Sequence, residues 1–200
     1  MDRNSGELRV GNDVVYRRDP HIAAHHLKRR FVDRVCSAEE AGRVRASREP
    51  GLLLWSLWAA KEAAYKAVVK LRPGTPFAHR RFVAAESLAA VRYEDLRLSL
   101  ELETNEEWVH AVACTGETDI LSSVKRKEDC ADQREAVRAL ALEAVAARFD
   151  LQRDRLEIVR PPNAEGRPGP PELLLDGQAT GFDISLSHDG PFVACAAIRG

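Results

Sequence analysis

The sequence predicts an α+β protein of two units. Three observations carry that expectation: helical and alternating apolar periodicities take turns along the chain, the alternating runs pair off as antiparallel hairpins, and one polar stretch without periodicity separates an earlier set of elements from a later one. Two hundred residues, 44% of them hydrophobic, suffice for one large domain or two small ones with real cores.

The first expected element is a strand in LRVGNDVVY, with Leu8, Val10, Asn12 and Val14 on one face and Gly11, Asp13 and Val15 on the other. HIAAHHLKRRFVDRV has helical character. SAEEAGRVRAS then opens with a capping signal, Ser37 three residues before Glu40. LLLWSLWAAKEAAYKAVVK is the longest expected helix and is closed by Pro73-Gly74. LRLSLELETNEEWVHAVAC reads as a hairpin turning at TNEE and ends the first unit near Gly116.

SSVKRKEDCADQ has no hydrophobic periodicity and is the expected linker, which divides the chain into 1–121, a connector over 122–133, and 134–200. REAVRALALEAVAARF carries a helical stripe of Val137, Leu140, Ala141, Ala144, Val145 and Phe149. LEIVR is a short strand and PPNAEGRPGPPE is too rich in Pro and Gly for a regular element. ELLLDG, FDISLSH and FVACAAI close the chain as antiparallel strands, the last two joined at Asp189-Gly190.

A formal net charge of -1 argues against a general grip on nucleic acid. The charge is unevenly spread: from Arg17 to Arg48 nine Lys or Arg stand against four Asp or Glu, with His21, His25 and His26 among them. Such a patch suits an anionic partner or phosphates, or is a solvated helix surface. The four cysteines Cys36, Cys114, Cys130 and Cys195 are widely spaced, with no CxxC pair, so neither a zinc site nor a disulfide framework is expected. No apolar run approaches the roughly 20 residues of a membrane span, and MDRNSGELRV lacks the layout of a secretory signal, so a cytoplasmic location is expected.

On the long helix, Trp55, Trp58, Glu62 and Lys66 fall on one strip with Lys61 beside it. A buried carboxylate there requires a partner or a metal, whereas on the surface Glu62 and Lys66 would form an ordinary helical ion pair. Asp13 is a second lone acid on an apolar element. Two such acids, with lysines near, suit Mg²⁺, which commonly takes one or two carboxylates, substrate phosphates and water. In SLSHDG, Ser187 and His188 lie where a strand meets a turn, where a hydroxyl and an imidazole can donate to a phosphate oxygen or to the turn itself. Neighbouring strand residues point to opposite faces, so Ser-His-Asp in direct sequence is no catalytic triad.

GNDVV, RRFVDRVCSAEE, WSLWAAKEAAYK, the loop EGRP and ISLSHDGPFVACAA together resemble the signature segments of the 4′-phosphopantetheinyl transferase superfamily. The resemblance implies transfer of the phosphopantetheine arm of coenzyme A to a serine of an apo acyl or peptidyl carrier protein, with Mg²⁺ and release of adenosine 3′,5′-bisphosphate. It implies metal-binding roles for Asp13 and Glu62, with Lys66 near the reacting phosphate and Lys61 beside the coenzyme. It also implies that Ser187, His188 and Arg167 hold coenzyme A phosphates; Arg167 stands where the family often has a lysine. Larger members carry a second acid two residues after the first, where this chain has Val15. Glu62 is then metal ligand or base. By the same resemblance the fold is a pair of similar α+β lobes in exchanged order, related by a rough two-fold with the site at their junction. A two-lobed chain needs no trimer, so a monomer is expected. Lys28, Arg30 and Arg34 are expected to steer an acidic carrier protein of fatty-acid, polyketide or nonribosomal-peptide synthesis. A non-catalytic coenzyme A or carrier-binding module and an Mg²⁺-dependent phosphohydrolase are the competing readings.

Overall fold

The computed structural model describes residues 7–19, 28–127, 132–163 and 166–200. Two five-stranded antiparallel sheets carry the same strand order. The first runs β1-β5-β4-β3-β2, built from β1 (Val10–Tyr16), β2 (Phe82–Ala84), β3 (Ala90–Tyr93), β4 (Leu96–Thr104) and β5 (Trp108–Cys114). The second runs β6-β10-β9-β8-β7, built from β6 (Leu121–Arg126), β7 (Leu156–Val159), β8 (Glu172–Leu175), β9 (Gln178–Asp189) and β10 (Phe192–Arg199). In each, the first strand pairs with the last, and helical chain separates the first strand from the second. The α+β fold of two similar lobes expected from the sequence is the one observed. β2 and β3, three and four residues long, were not expected; they are too short to show a period.

The expected connector over 122–133 needs correction at its start. Ser122–Arg126 belongs to β6, which pairs with β10 through Ala196↔Ser122, Ala194↔Val124 and Phe192↔Arg126. SSVKR is polar because an edge strand has few buried positions, and an edge strand in polar guise looks like a loop. Residues 128–131, Cys130 among them, lie outside the described residues, as do His21, His25 and His26.

The described helices are α1 (Arg29–Val35), α2 (Ala38–Ala46), α3 (Pro50–Leu71) and α4 (Gln133–Phe149). α2 starts on the expected capping box: Glu40 N donates to Ser37 Oγ at 3.2 Å, and Ser37 N donates to Glu40 Oε2 at 2.7 Å. α3 has Pro50 in its first turn and stops before Pro73-Gly74, where Gly74 takes a φ of 86°. No described helix is long and apolar enough to cross a membrane.

The layers run α3, first sheet, second sheet, α4. Ala60, Ala63, Ala64 and Ala67 let α3 lie close against β1. Gly11 completes that approach: a Cβ there would lie 2.0 Å from Ala63 O and 2.8 Å from Ala67 N, both backbone atoms that cannot swing away. Between the sheets, Val10, Val112 and Cys114 pack on Ala196 and Ile198, and Val14 packs on Phe192 and Ala194. Beyond the second sheet, Val193, Cys195 and Ala197 meet Val137, Leu140, Ala141 and Val145 of α4.

β1 is the edge strand at the seam between sheets, and its outward backbone is closed by side chains. Along β9 four successive same-face residues accept its amides: Val10 N donates to Asp183 Oδ2 at 2.7 Å, Asn12 N to Ser185 Oγ at 2.9 Å, Val14 N to Ser187 Oγ at 3.1 Å and Tyr16 N to Asp189 Oδ2 at 2.7 Å. Two lysines one helical turn apart on α3 take the carbonyls. Lys70 Nζ donates to Val10 O at 2.7 Å and Lys66 Nζ to Asn12 O at 2.9 Å. Each amide of a strand points alternately to one side, so an acceptor at every second residue of β9 matches the strand period of two.

Gly11→Ala should destabilise the fold by about 3 kcal/mol, since the added methyl meets helix backbone. Gly42→Ala in α2, where nothing lies within 4 Å of the added Cβ, should stabilise by about 0.5–1 kcal/mol through helix propensity. Urea titrations of the two variants check both signs.

Candidate active site

Asp13 lies mid-β1, 8% exposed, with both of its protein donors on one oxygen. Lys66 Nζ donates to Oδ1 at 2.8 Å and the Ser187 hydroxyl donates to the same atom at 3.0 Å. Lys66 thereby uses two of its three donors, and at 29% side-chain exposure it still lines the cleft above. Glu62 sits one turn earlier on α3. Burial, reinforced by the charge of Asp13 and partly offset by Lys66, pushes its carboxyl up to about 7. His79 Nε2 stands 3.9 Å from Glu62 Oε1, with the imidazole packed between Trp58 and Phe77 at ring-centre distances of 4.4 and 4.1 Å. Burial, with the charges of Lys61 and Arg34, lowers His79 to about 4, so it is neutral beside Glu62.

Above Asp13 a cleft of about 640 Å³ opens at the junction of the sheets, lined by Asp13, Lys66 and Ser187 together with His188, Pro168 and three arginines. Arg134 and Arg138 stand one turn apart on α4, and Arg160 follows β7. Among the described residues none of the three makes an ion pair. Partial burial and the neighbouring charges of Arg138 and Arg134 pull Arg160 below its usual value. Three guanidiniums with no ion-pair partner among the described residues thus face one cleft, a donor set that suits phosphate. The sequence reading missed them because R-E-A-V-R resembles the solvated face of an amphipathic helix. Their spacing of four residues was the available signal.

The residues singled out from sequence divide three ways. Asp13, Glu62 and Lys66 converge, and His188 joins them at the cleft. Arg167 is exposed beside Pro168 at the cleft rim, and its backbone is pinned to Asn163, whose Oδ1 accepts from Arg167 N at 2.9 Å. Lys61 needs correction. It is fully buried, and its Nζ donates to Glu40 Oε2 at 2.6 Å and Val35 O at 2.9 Å, out of reach of any coenzyme. Glu40 also accepts from Ala84 N at 2.9 Å, so this pair ties α1, α2, α3 and β2 together. Removing one partner of such a buried pair costs about 3–5 kcal/mol.

Ser187 needs correction too. Only 6% exposed, its hydroxyl donates to Asp13 and accepts from Val14 N, so it has no proton left for a phosphate. Lys28, Arg30 and Arg34 are exposed on and before α1. A second cleft of about 640 Å³ beside them, between α1, α2 and the turn at His79–Arg81, adds Arg29, Arg45 and Arg80.

Asp13 and Glu62 are both hard oxygen donors, and the charge of Asp13 adds to burial in raising Glu62, a repulsion that a bound cation would relieve. Among the described residues no cluster of three or more His, Cys, Asp or Glu is arranged to hold a metal, so substrate oxygens and water would complete the shell. Only one of the two equivalent strands carries this acid. Arg17 N donates to Glu107 O and Lys127 N to Pro191 O at corresponding hairpin ends, which aligns β1 with β6 and makes Ser123 the counterpart of Asp13 in the second lobe.

A family model described as the 4′-phosphopantetheinyl transferase superfamily matches residues 9–113, just over half of the chain. No curated protein matches the chain.

Glu62 makes stability depend on pH. Its folded value lies above its ordinary 4.5, so it contributes stability below about pH 4.5 that is lost as pH rises through about 7. Without divalent cations, the Glu62 contribution should fall by up to about 3 kcal/mol across that window, against an opposing gain from His79 and His110, both held mainly by burial at about 4, so Glu62→Gln should gain stability relative to the wild type as pH rises. Denaturation midpoints measured from pH 4.5 to 8 check this.

Proposed function

Because the chain belongs to the 4′-phosphopantetheinyl transferase superfamily, we propose that its cleft transfers the 4′-phosphopantetheine arm of coenzyme A to a serine of an apo acyl or peptidyl carrier protein, releasing adenosine 3′,5′-bisphosphate. The observation that carries this reading is the meeting, in one cleft, of Asp13 and Lys66 beside Glu62 with an unneutralised arginine trio.

Arg134, Arg138, Arg160 and His188, with Arg167 at the rim, hold the coenzyme's phosphates. Lys66 faces the diphosphate, so the charge gathering on the leaving phosphate develops against an ammonium already fixed in place. Asp13 and Glu62 would hold Mg²⁺, which supplies charge neutralisation of the diphosphate oxygens when bound. The carrier serine oxygen attacks the β-phosphorus, the bond from that phosphorus to the bisphosphate leaving group breaks, and the serine proton passes to Glu62 directly or through water.

The carrier approaches over α1. Arg34 is near enough to His79 to depress its protonation, and His79 abuts Glu62, so the basic face of Lys28, Arg30 and Arg34 adjoins the base. A chain holding both lobes supports action as a monomer, and the cytoplasm is the compartment we propose for it.

The mass of an apo carrier incubated with coenzyme A and Mg²⁺ tests this reading. A gain of one phosphopantetheine group is expected, and an unmodified carrier with every apo carrier offered would contradict it. Asp13→Ala and Glu62→Ala should each lower kcat by about 100-fold or more while leaving the fold intact. Arg138→Ala and Arg160→Ala should raise KM for coenzyme A by about tenfold with a smaller effect on kcat. Arg30→Glu or Arg34→Glu should raise KM for the carrier alone, in a salt-sensitive way.

A further inference from the structure

Ser187 is the rung of the β9 ladder that touches the site. Of the four rungs, Asp183 also accepts from Lys70 Nζ at 2.9 Å, Ser185 meets Asn12 N, and Asp189 meets Tyr16 N. Ser187 alone both receives an amide of β1 and gives a proton to the Asp13 carboxylate. Since Lys66 and Ser187 share Oδ1, Asp13 Oδ2 has no protein donor among the described residues, and Asp13 lines the cleft.

The chemistry at position 187 is restrictive. The group there must accept from Val14 N and donate to Asp13 within one strand spacing. An aspartate, which serves at both ends of the ladder, would accept but set a like charge against Asp13. Alanine does neither. A hydroxyl is the smallest side chain that does both, and being neutral it fixes the carboxylate without cancelling its charge.

We infer that Ser187 is a positioning residue for Asp13: it locks the rotamer that presents Oδ2 to the cleft and couples that rotamer to the seam between lobes. The catalytic consequence rests on the transferase reading above; the orientation of Asp13 does not. In a pre-positioned site a displacement of about 1 Å costs on the order of 100-fold in rate, so loss of this one bond should be visible in turnover.

The test compares Ser187→Ala, Ser187→Thr and Ser185→Ala. Ser185→Ala removes the same kind of seam hydrogen bond, from Asn12 N, without touching Asp13, and so controls for stability. In ligand-free protein, the ¹³C resonance of the Asp13 carboxylate should shift in Ser187→Ala and stay in place in Ser187→Thr and Ser185→Ala. In the transfer assay, Ser187→Ala should lose about 10- to 100-fold in kcat, with KM for coenzyme A within about twofold and a higher Mg²⁺ requirement. Ser187→Thr should recover most of the rate. If Ser187→Ala does not fold, Ser187→Cys, which keeps the side-chain shape at a slightly larger volume and weakens both bonds, should show the same changes in smaller degree.

An unmoved Asp13 resonance in Ser187→Ala overturns the inference. So does a raised KM for coenzyme A at unchanged kcat, which would make Ser187 a phosphate ligand. A wild-type protein that binds no coenzyme A and modifies no carrier would refute the transferase reading instead, and the resonance would still decide the role of Ser187.

Discussion

The closure of β1 is the constraint on which the rest depends. An edge strand buried at the junction of two sheets has no partner strand on one side, and each buried backbone group left unmet costs about 1–3 kcal/mol. Here the amides of Val10, Asn12, Val14 and Tyr16 find side-chain acceptors on β9, and the carbonyls of Val10 and Asn12 find lysines on α3. The acceptors recur every two residues, so a one-residue slip of β9 would turn every one of them away and bring Ile184, Leu186 and His188 to the seam. The register of the two lobes is therefore fixed by the same residues that frame the cleft. The proposed site lies at this seam, where charged side chains are required to satisfy backbone and where some of their donors remain to meet a ligand.

Charge on α3 is divided by depth. Lys61 is wholly buried, with Glu40 to answer it, and burial nonetheless pulls it below its ordinary value. Lys70 is nearly so, clamped by Asp183, Val10 O and Ile184 O. Lys66 alone of the three reaches the cleft. Sequence spacing puts Glu62 and Lys66 on one strip, but it is distance from bulk water that separates Lys61 and Lys70, held in the interior, from Lys66. Glu62, raised by burial and by Asp13, is held in the range where a carboxyl gives and takes protons near neutrality.

Much of the fold was legible. The capping box at Ser37, the long helix, both hairpins and the amphipathic α4 all follow from period and punctuation. β6 was read as linker because its residues are polar, and β2 and β3 were missed for shortness. In the site, Asp13 and Glu62 stood out as lone acids on apolar elements, and Lys66 followed by helical spacing. What could not be read was anything set by distant convergence. Arg134, Arg138 and Arg160 come from two elements of the second lobe. Lys61 was expected beside the coenzyme, yet its partner Glu40, 21 residues earlier, holds it in the interior. Ser185 and Ser187 were legible as the polar face of a strand, but their partner strand is 173 residues away.

Amide hydrogen exchange on the ligand-free protein tests the closure of β1 most directly, because the molecule contains its own control. β6 is the topological counterpart of β1, and among the described residues no side chain of the first lobe meets its outward amides at Ser122 and Val124. If the side-chain ladder closes β1, the amides of Asn12 and Val14 exchange as slowly as those of the interior strand β5, while those of Ser122 and Val124 exchange fast. Equally fast exchange at Asn12, Val14, Ser122 and Val124 would contradict it, since β1 would then be an open edge and Asp13 would have no fixed frame.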